Sequence, residues 1–476
     1  MNTIKADLCV IGGGSAGLSL AAGAVQLGLS VVLFEKAEMG GDCLNVGCVP
    51  SKALIAAAAR AQNIREANKF GVDAGEPRVS WPAVRDHIKG VIATIAPIDS
   101  QERFEGLGVT VVREAARFAD HQTIISDTYS VRAKRIVIAT GSRPFVPPIP
   151  GIEGTPYLTN ETIFDLDQLP RHLIILGAGP IGAEMGQAFR RLGAEVTLLD
   201  AKNALGAVDP EAAAIVLDRM RHEGVNVLEH CNAESIIGNE QGVRLRLRTQ
   251  SGEEKILEGS HLLVAVGRKP ALDQLDLDVG GVAFDKKGVT TSATLRSTTN
   301  KRVWALGDAA GGPAFTHIAG WHASAFVRNV LFKARTRADA PAVPSVTFTD
   351  PEIAQIGLTE AQARAEHGDD VKTTRWTFEE NDRAQAQRDT EGFCKIVLDA
   401  KGAILGATIV GAEAGEILAP LALAMSKNLK LRALTDPVLP YPIRAEIVKR
   451  AASAHFTPVL FSDKTRALIS VLKRIP

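Results

Sequence analysis

The chain has 476 residues, with 54 Lys plus Arg balanced by 54 Asp plus Glu and a formal net charge of zero. That length exceeds one ordinary core and leaves room for about three domains. The charge balance gives no footing for nucleic acid or any strongly charged partner in bulk, and 5 cysteines, an odd number with one close pair, exclude a secreted disulfide scaffold and favour the cytoplasm.

The start, Met1 to Asp7, runs straight into a strand-like segment and shows no signal peptide, and every apolar run is broken well short of the ~20 residues of a membrane span. Asp7 to Ile11 is a predicted strand, followed by Gly12-Gly13-Gly14-Ser15-Ala16-Gly17 and an alanine-rich helix to about Leu27. A second strand from Ser30 to Phe34 ends at Glu35. Strand, glycine turn, helix, strand and acid make a complete dinucleotide fingerprint. Gly12 serves the turn, Gly14 lets a pyrophosphate approach, Gly17 lets helix pack on strand, and Glu35 meets a ribose hydroxyl.

Next comes Gly40-Gly41-Asp42-Cys43-Leu44-Asn45-Val46-Gly47-Cys48-Val49-Pro50-Ser51-Lys52. An undistorted helix would turn Cys43 and Cys48 to different faces, so the glycines must bend the chain before the thiols can come within the roughly 4.4–6.8 Å between Cα atoms that a disulfide needs. With Pro50 as a further interruption, the apolar run Ala53 to Ala59 reads as a helix leading away. The thiols then lie near its N-terminus, where the macrodipole favours a thiolate. A reversible dithiol is the natural reading, with two inert buried side chains as the plain alternative.

Beyond a helical, charged stretch broken near residues 71–82, strands are expected at Val109 to Ala116, Thr123 to Ser126, Ser130 to Ala133 and Arg135 to Ala139, the last ending in Thr140-Gly141-Ser142-Arg143-Pro144. Pro144 to Pro150 reads as a linker. His172 to Leu176, Gly177-Ala178-Gly179-Pro180-Ile181-Gly182, a helix to about Leu192 and Glu195 to Leu199 ending at Asp200 form a second fingerprint. Asp200 suits a ribose 2′-hydroxyl and repels a 2′-phosphate, which favours NADH over NADPH; Lys202 stands nearby. His261 to Val266 with Gly267-Arg268-Lys269-Pro270 echoes residues 140–144 and marks a return to the first domain. Gly307-Asp308 ends another strand with an acid placed for a polyhydroxyl chain. From Pro344 onward, strands at Ser345 to Thr349, Gly392 to Leu398 and Ile404 to Val410 alternate with helices at Thr359 to Glu366 and Glu416 to Asn428.

Together these motifs resemble the class I pyridine nucleotide-disulfide oxidoreductases, the family of dihydrolipoamide dehydrogenase, glutathione reductase and mercuric reductase. The resemblance runs from about Ala6 to about Ala454. It implies an α/β chain with two Rossmann-like dinucleotide-binding domains and a C-terminal α+β dimerisation domain. The implied limits are residues 1–147 and 271–343 for the FAD-binding domain, 148–270 for the NAD(P)-binding domain, 344–455 for the interface domain and 456–476 for an extension. FAD would lie on Gly12, Gly14, Gly17, Glu35, Thr140, Gly141 and Asp308, with His317 beside the flavin, and NADH on Gly177, Gly179, Gly182 and Asp200. Lys52 and Glu184 match a pair near the flavin and nicotinamide. Cys48 matches the flavin-side thiol of the charge-transfer complex, and Cys43 the outer thiol. The family works as a homodimer.

One position departs. Lipoamide and glutathione enzymes carry His-Pro followed by Glu in the C-terminal segment, whereas here it reads Leu439-Pro440-Tyr441-Pro442-Ile443-Arg444-Ala445-Glu446. A phenol with a pKa near 10 cannot exchange protons at neutral pH as imidazole does, a handicap of roughly 10² to 10⁴ in general-base terms. Mercuric reductase uses a tyrosine in this region, but the cysteine-bearing N-terminal domain and the C-terminal vicinal cysteines expected of that enzyme are not seen. Cys9, Cys231 and Cys394 read as packing, and His455 as surface.

In residues 456–476, Ser462 is expected to cap a helix with Leu468, Val471 and Leu472 on one face and Lys464, Arg466, Lys473 and Arg474 elsewhere. Packing within the dimer is favoured over contact with an anionic membrane. The leading expectation is a reductase passing electrons from NADH through FAD and Cys43–Cys48 to a metal ion or small molecule, without a resident metal site. Competing readings are dihydrolipoamide dehydrogenase, a quinone reductase with a structural disulfide, and a flavin-loaded binding partner docked by its tail.

Overall fold

The computed structural model describes residues 1–338, 342–473 and 475. Arg474 and Pro476, in the expected tail, lie outside the described residues, as do the three residues 339–341 near the expected domain limit. By contact the chain divides into two compact units, one of residues 1–177, 188–196 and 232–340, the other of residues 178–187, 197–231 and 341–476.

The first unit is built on a seven-stranded sheet among the described residues. Its centre is the parallel pair Asn2–Ile11 and Tyr129–Ile138, flanked by Val31–Phe34 and Thr110–Val112 on one side and Val303–Ala305 against Tyr129–Ile138. Both central strands are longer than their sequence suggests. Tyr129–Ile138 joins two expected strands into one, because its first half alternates buried and exposed residues around Arg132 and Lys134 while its second half, Ile136 to Ile138, is buried throughout. Helix Ser15–Gln26 packs on one face through Leu18, Leu20, Ala21 and Ala24. Phe118, Ile124, Val131 and Leu277 fill the other face. The same unit holds the parallel pair His172–Leu176 and His261–Val264, a short antiparallel pair Ser142–Pro144 and Arg268–Pro270, and a sheet of Cys231–Asn239, Gly242–Thr249 and Glu254–Gly259.

The second unit centres on a five-stranded antiparallel sheet among the described residues, ordered Ser345–Thr347, Glu352–Gly357, Ile404–Gly411, Phe393–Leu398, Lys372–Thr377. Helix Glu446–Leu460 covers it, burying Ile447, Val448, Ala451 and Ala452. Helix Glu360–His367 begins with a capping box between Thr359 and Gln362. The helix expected at Glu416 to Asn428 is instead two, Ala414–Ile417 and Ala419–Ser426, with Pro420 in the first turn of the second, where its missing N–H costs nothing. Among the described residues no helix is long and apolar enough to cross a membrane.

Candidate functional site

The first unit gathers most of the expected site. Gly12 turns with φ +112°, and a Cβ there would meet the Ala139 carbonyl. A Cβ on Gly17 would meet the Gly12 carbonyl, so strand and helix touch through backbone alone. Glu35 braces the loop, accepting from the Gly13 amide at 2.7 Å and the Ala37 amide at 2.7 Å. The second fingerprint repeats this design. Gly177 has φ +106°, with the Ala265 carbonyl in the way of any Cβ, and in the second unit Asp200 accepts from Ala178 N and Lys202 N, each at 2.8 Å. Nothing lies within 4 Å of where a Cβ on Gly179 would stand, so that face is open to a ligand.

The dithiol segment docks on the first glycine loop. The Gly40 amide donates to the Gly13 carbonyl at 2.9 Å, and a Cβ on Gly41 would approach Gly14 Cα to 2.8 Å. Cys43 rides in the short helix Gly41–Asn45, and Cys48 is the first residue of helix Cys48–Glu66. The bend is Gly47, at φ −126° and ψ −112°, where a Cβ would press on the Asp42 carbonyl at 2.8 Å. This helix therefore begins five residues before the expected Ala53. Pro50 does not interrupt it, because it sits in the first turn, where N–H groups have no intrahelical acceptor.

The two sulfurs are present as thiols, not as a disulfide, with Cys43 half-buried and Cys48 exposed. Cys43 donates a hydrogen bond to Cys48, which with burial pushes the Cys43 thiol well above its ordinary range. For Cys43 the hydrogen bond to Cys48 and burial therefore work against the thiolate that a helix N-terminus favours. Thr316 Oγ1 lies 3.6 Å from Cys48 Sγ. His317 stacks on Phe315 with ring centroids 5.1 Å apart. Lys52 follows on the dithiol helix, its Nζ 3.3 Å from Ser51 Oγ.

Asp308 opens a 3-10 turn, Gly307–Ala310, after strand Val303–Ala305 and accepts from Ser142 Oγ at 2.5 Å. Gly141 has φ +68°, and the buried Thr140 Oγ1 has no partner among the described residues. An unpaired buried hydroxyl at the mouth of a glycine-lined cradle is what a bound polar ligand would satisfy, and with Glu35 and Asp308 it fits FAD. The open cradle at Gly179 and the carboxylate of Asp200 likewise fit a nicotinamide dinucleotide.

Glu184, Gly182, Tyr441 and Glu446 belong to the second unit. Glu184 is 6% exposed and accepts from Phe348 N at 3.0 Å. Tyr441 is 71% exposed and donates to Asp382 Oδ2 at 2.6 Å, which pushes its phenol pKa up. Glu446 pairs with Arg450 at 2.8 Å. Among the described residues no cluster of three or more His, Cys, Asp or Glu is arranged to hold a metal ion. Cys9, Cys231 and Cys394 are buried, and burial pushes the Cys394 thiol up to about 12. His455 is half-buried with its ring edge-on to Phe456 at 5.0 Å. Sequence reasoning missed Asp382, Asn160 and the part played by Arg268 and Thr316. Arg268 stands inside the Gly267–Pro270 motif already singled out and Thr316 directly precedes His317, whereas nothing local marks Asn160.

The profile of the pyridine nucleotide-disulphide oxidoreductase family matches residues 6–323, and that of its dimerisation domain matches residues 343–452. The chain is similar to a mercuric reductase of Staphylococcus aureus, 34% identical over 449 residues, covering 94% of this chain and 82% of that protein. It is similar to a dihydrolipoyl dehydrogenase of Geobacillus stearothermophilus, 32% identical over 466 residues and covering 96% and 97% of the two chains. Among solved structures, the Cu(II) complex of the HOCl-induced flavoprotein disulfide reductase RclA from Escherichia coli matches with a TM-score of 0.83 at 28% identity, over 94% of this chain and 99% of that one. Members of this group are FAD- and NAD(P)H-dependent enzymes with two nucleotide-binding domains and a dimerisation domain. With its two glycine cradles and its thiol pair, this chain belongs to the pyridine nucleotide-disulphide oxidoreductases.

Proposed function

We propose that the chain is a cytoplasmic, homodimeric NADH-dependent reductase that delivers electrons through Cys43 and Cys48 to a thiophilic metal ion, in the manner of a mercuric reductase. Bound FAD would supply the two-electron relay between nicotinamide and disulfide. The chain's own residues do the rest. Glu35 and Asp308 would hold the cofactor's hydroxyl-bearing parts, Asp200 would favour NADH, and Cys48, beside Thr316, would be the sulfur that takes electrons from the flavin. Cys43 and Cys48 lie within hydrogen-bond reach of one another, and a soft cation suits such a pair of sulfurs.

The observation that carries this choice is the hydrogen bond from Tyr441 to Asp382. Where a dithiol-oxidising enzyme needs a base, this chain has a phenol whose proton is committed to a carboxylate. The names of the mercuric reductase relative and the copper complex point the same way. Dihydrolipoamide dehydrogenase is the second reading, favoured by the 32% identical relative that spans 96% of the chain. NADH oxidation by the FAD-loaded protein with Hg(II), Cu(II) and oxidised lipoamide as acceptors separates the two. Metal turnover at least roughly tenfold above lipoamide turnover, abolished in Cys43→Ser, is expected. Equal or faster lipoamide turnover selects the second reading, and quinone reduction surviving Cys43→Ser selects a quinone reductase with an idle disulfide.

The tail helix Asp463–Leu472 is capped by Ser462 and leaves Leu468, Ile469, Val471 and Leu472 more than two-fifths exposed. We assign it to packing in the dimer, as a helix that follows the dimerisation-domain match over residues 343–452 and presents an apolar face. Loss of dimer on deleting the residues after Phe456 is the expected result. A dimer that stays intact while membrane or carrier binding is lost selects the docked-partner reading.

A further inference from the structure

Two residues of the thiol-bearing segment, Asp42 just before Cys43 and Val46 between the thiols, are held from outside it, within the first unit. Arg268 donates to the carboxylate of Asp42, which immediately precedes Cys43. Asn160 Nδ2 donates to the carbonyl of Val46, two residues before Cys48, at 3.1 Å. The two holders are themselves joined, Arg268 Nη1 to Asn160 Oδ1 at 3.2 Å. Arg268 also donates through Nε to Ser142 Oγ at 2.7 Å and through Nη2 to the Ser142 carbonyl at 2.8 Å. It stands on the short strand Arg268–Pro270, laddered to Ser142–Pro144, so the base of the side chain is fixed.

Besides this pair of holders, the segment is tied by the Gly40 amide to the Gly13 carbonyl at 2.9 Å, by Asn45 Nδ2 to the carbonyls of Met39 and Gly41 at 3.0 and 2.9 Å, and by the buried Leu44, none of which reaches the Cys43 or Cys48 end from the strand that carries Arg268. Gly40 and Gly41 take φ of +90° and +61°, and Gly47 bends the other end, so the five-residue helix Gly41–Asn45 sits between glycine hinges. Once a bond between the sulfurs opens, only the four-residue backbone Leu44 to Gly47 links Cys43 covalently to Cys48. The Arg268–Asp42 pair is partly buried, with side chains 20% and 45% exposed, and charge-assisted, so it is stronger than a solvated surface pair.

We propose that Arg268, together with Asn160, is the positioning element of the dithiol: a clamp that holds the helix carrying Cys43 against the start of the helix carrying Cys48 and keeps the opened sulfurs at closing distance. This rests on the reading of Cys43 and Cys48 as the redox pair. Holding two thiols together raises the effective concentration of one beside the other and so favours the disulfide over the open dithiol. Loosening the clamp gives the open form more conformations and shifts the balance toward it.

The test uses the full FAD-loaded protein, equilibrated without oxygen in mixtures of reduced and oxidised dithiothreitol, with protein thiols counted by alkylation. Protein disulfide plus dithiothreitol gives protein dithiol plus cyclic disulfide, two electrons and two protons moving together. Arg268→Met is expected to shift this equilibrium roughly tenfold or more toward the dithiol. Asn160→Ala should shift it less in the same direction, and Arg268→Lys should fall between wild type and Arg268→Met. FAD content and melting temperature are read on the same samples. A lowered melting temperature with an equilibrium constant within about twofold of wild type overturns the clamp, leaving Arg268 a purely structural residue. If Arg268→Met does not fold, Asn160→Ala and Asp42→Asn decide, and wild-type equilibria in both overturn it. A wild-type protein that never loses two thiols on oxidation instead sinks the redox-pair reading, and the clamp with it.

Discussion

Tyr441 donates its phenolic hydrogen to Asp382 at 2.6 Å, and the bond pushes the phenol further from ionisation instead of preparing it as a base. The hydroxyl stays protonated through the neutral range, so it offers a ligand oxygen or a donor but does not take up a thiol proton. Dihydrolipoamide oxidation by the wild type is therefore expected to run roughly tenfold or more below metal reduction, and Tyr441→His is expected to raise it about tenfold. Steady-state rates with NAD and dihydrolipoamide check both. A wild-type rate matching metal turnover removes Tyr441 as the discriminator.

Asp200 orders its loop through the Ala178 and Lys202 amides. Asp200→Ser keeps a hydroxyl acceptor but drops the charge that repels a 2′-phosphate. The ratio of kcat/KM for NADH to that for NADPH is expected to fall about tenfold or more, while the absolute NADH value also falls as the loop loosens. An unchanged ratio places the selectivity elsewhere.

His322 is buried at 7% exposure, and its Nδ1 accepts from the Gly307 amide at 3.1 Å, directly beside Asp308. Burial lowers its pKa, with Asp308 pulling weakly the other way. The unfolded chain therefore takes up the proton first as pH falls. Stability from the neutral ring is complete above the ordinary histidine pKa of about 6.5 and is lost as pH drops below it. The melting temperature is expected to fall from pH 7.5 to pH 5.5, and His322→Asn to flatten that slope. An equally steep slope in the variant assigns the acid sensitivity to another group.

Lys395, 5% exposed, reaches Asp209 at 2.7 Å and Glu211 at 2.6 Å, with Asp209 itself 1% exposed. Burial works against its charge, but the two carboxylates outweigh it and the pKa is raised. Lys395→Met strands a buried carboxylate and is expected to cost about 3–5 kcal/mol in urea unfolding. A loss under about 1 kcal/mol makes the pair no better than a surface contact.

What was legible in the sequence is what short-range sterics dictate. Gly12 and Gly177 announce themselves because positive φ and a carbonyl at Cβ distance admit glycine only, and Glu35 and Asp200 follow at strand ends set by the same units. Ser462 caps its helix as expected because capping is local, and the helix expected from Thr359 starts there for the same reason, although its capping box was not read. The sheet of residues 231–259 went unread although Val243, Leu245 and Leu247 alternate with arginines in period two. Pro50 misled because its effect depends on where the helix begins, which Gly47 decides. Arg268 and Asp42, 226 residues apart, and Tyr441 and Asp382, 59 apart, meet only through tertiary structure, and no periodicity reports such contacts.

The most direct measurement is anaerobic NADH titration of the FAD-loaded protein, followed by visible absorbance, in wild type, Cys43→Ser and Cys48→Ser. If electrons pass through a sulfur pair with Cys48 against the flavin, the reduced wild type gains a long-wavelength band from thiolate beside oxidised flavin, Cys43→Ser shows that band before any NADH is added, and Cys48→Ser lacks it throughout. A wild type reduced without the band, or a Cys48→Ser protein that keeps it, contradicts that route.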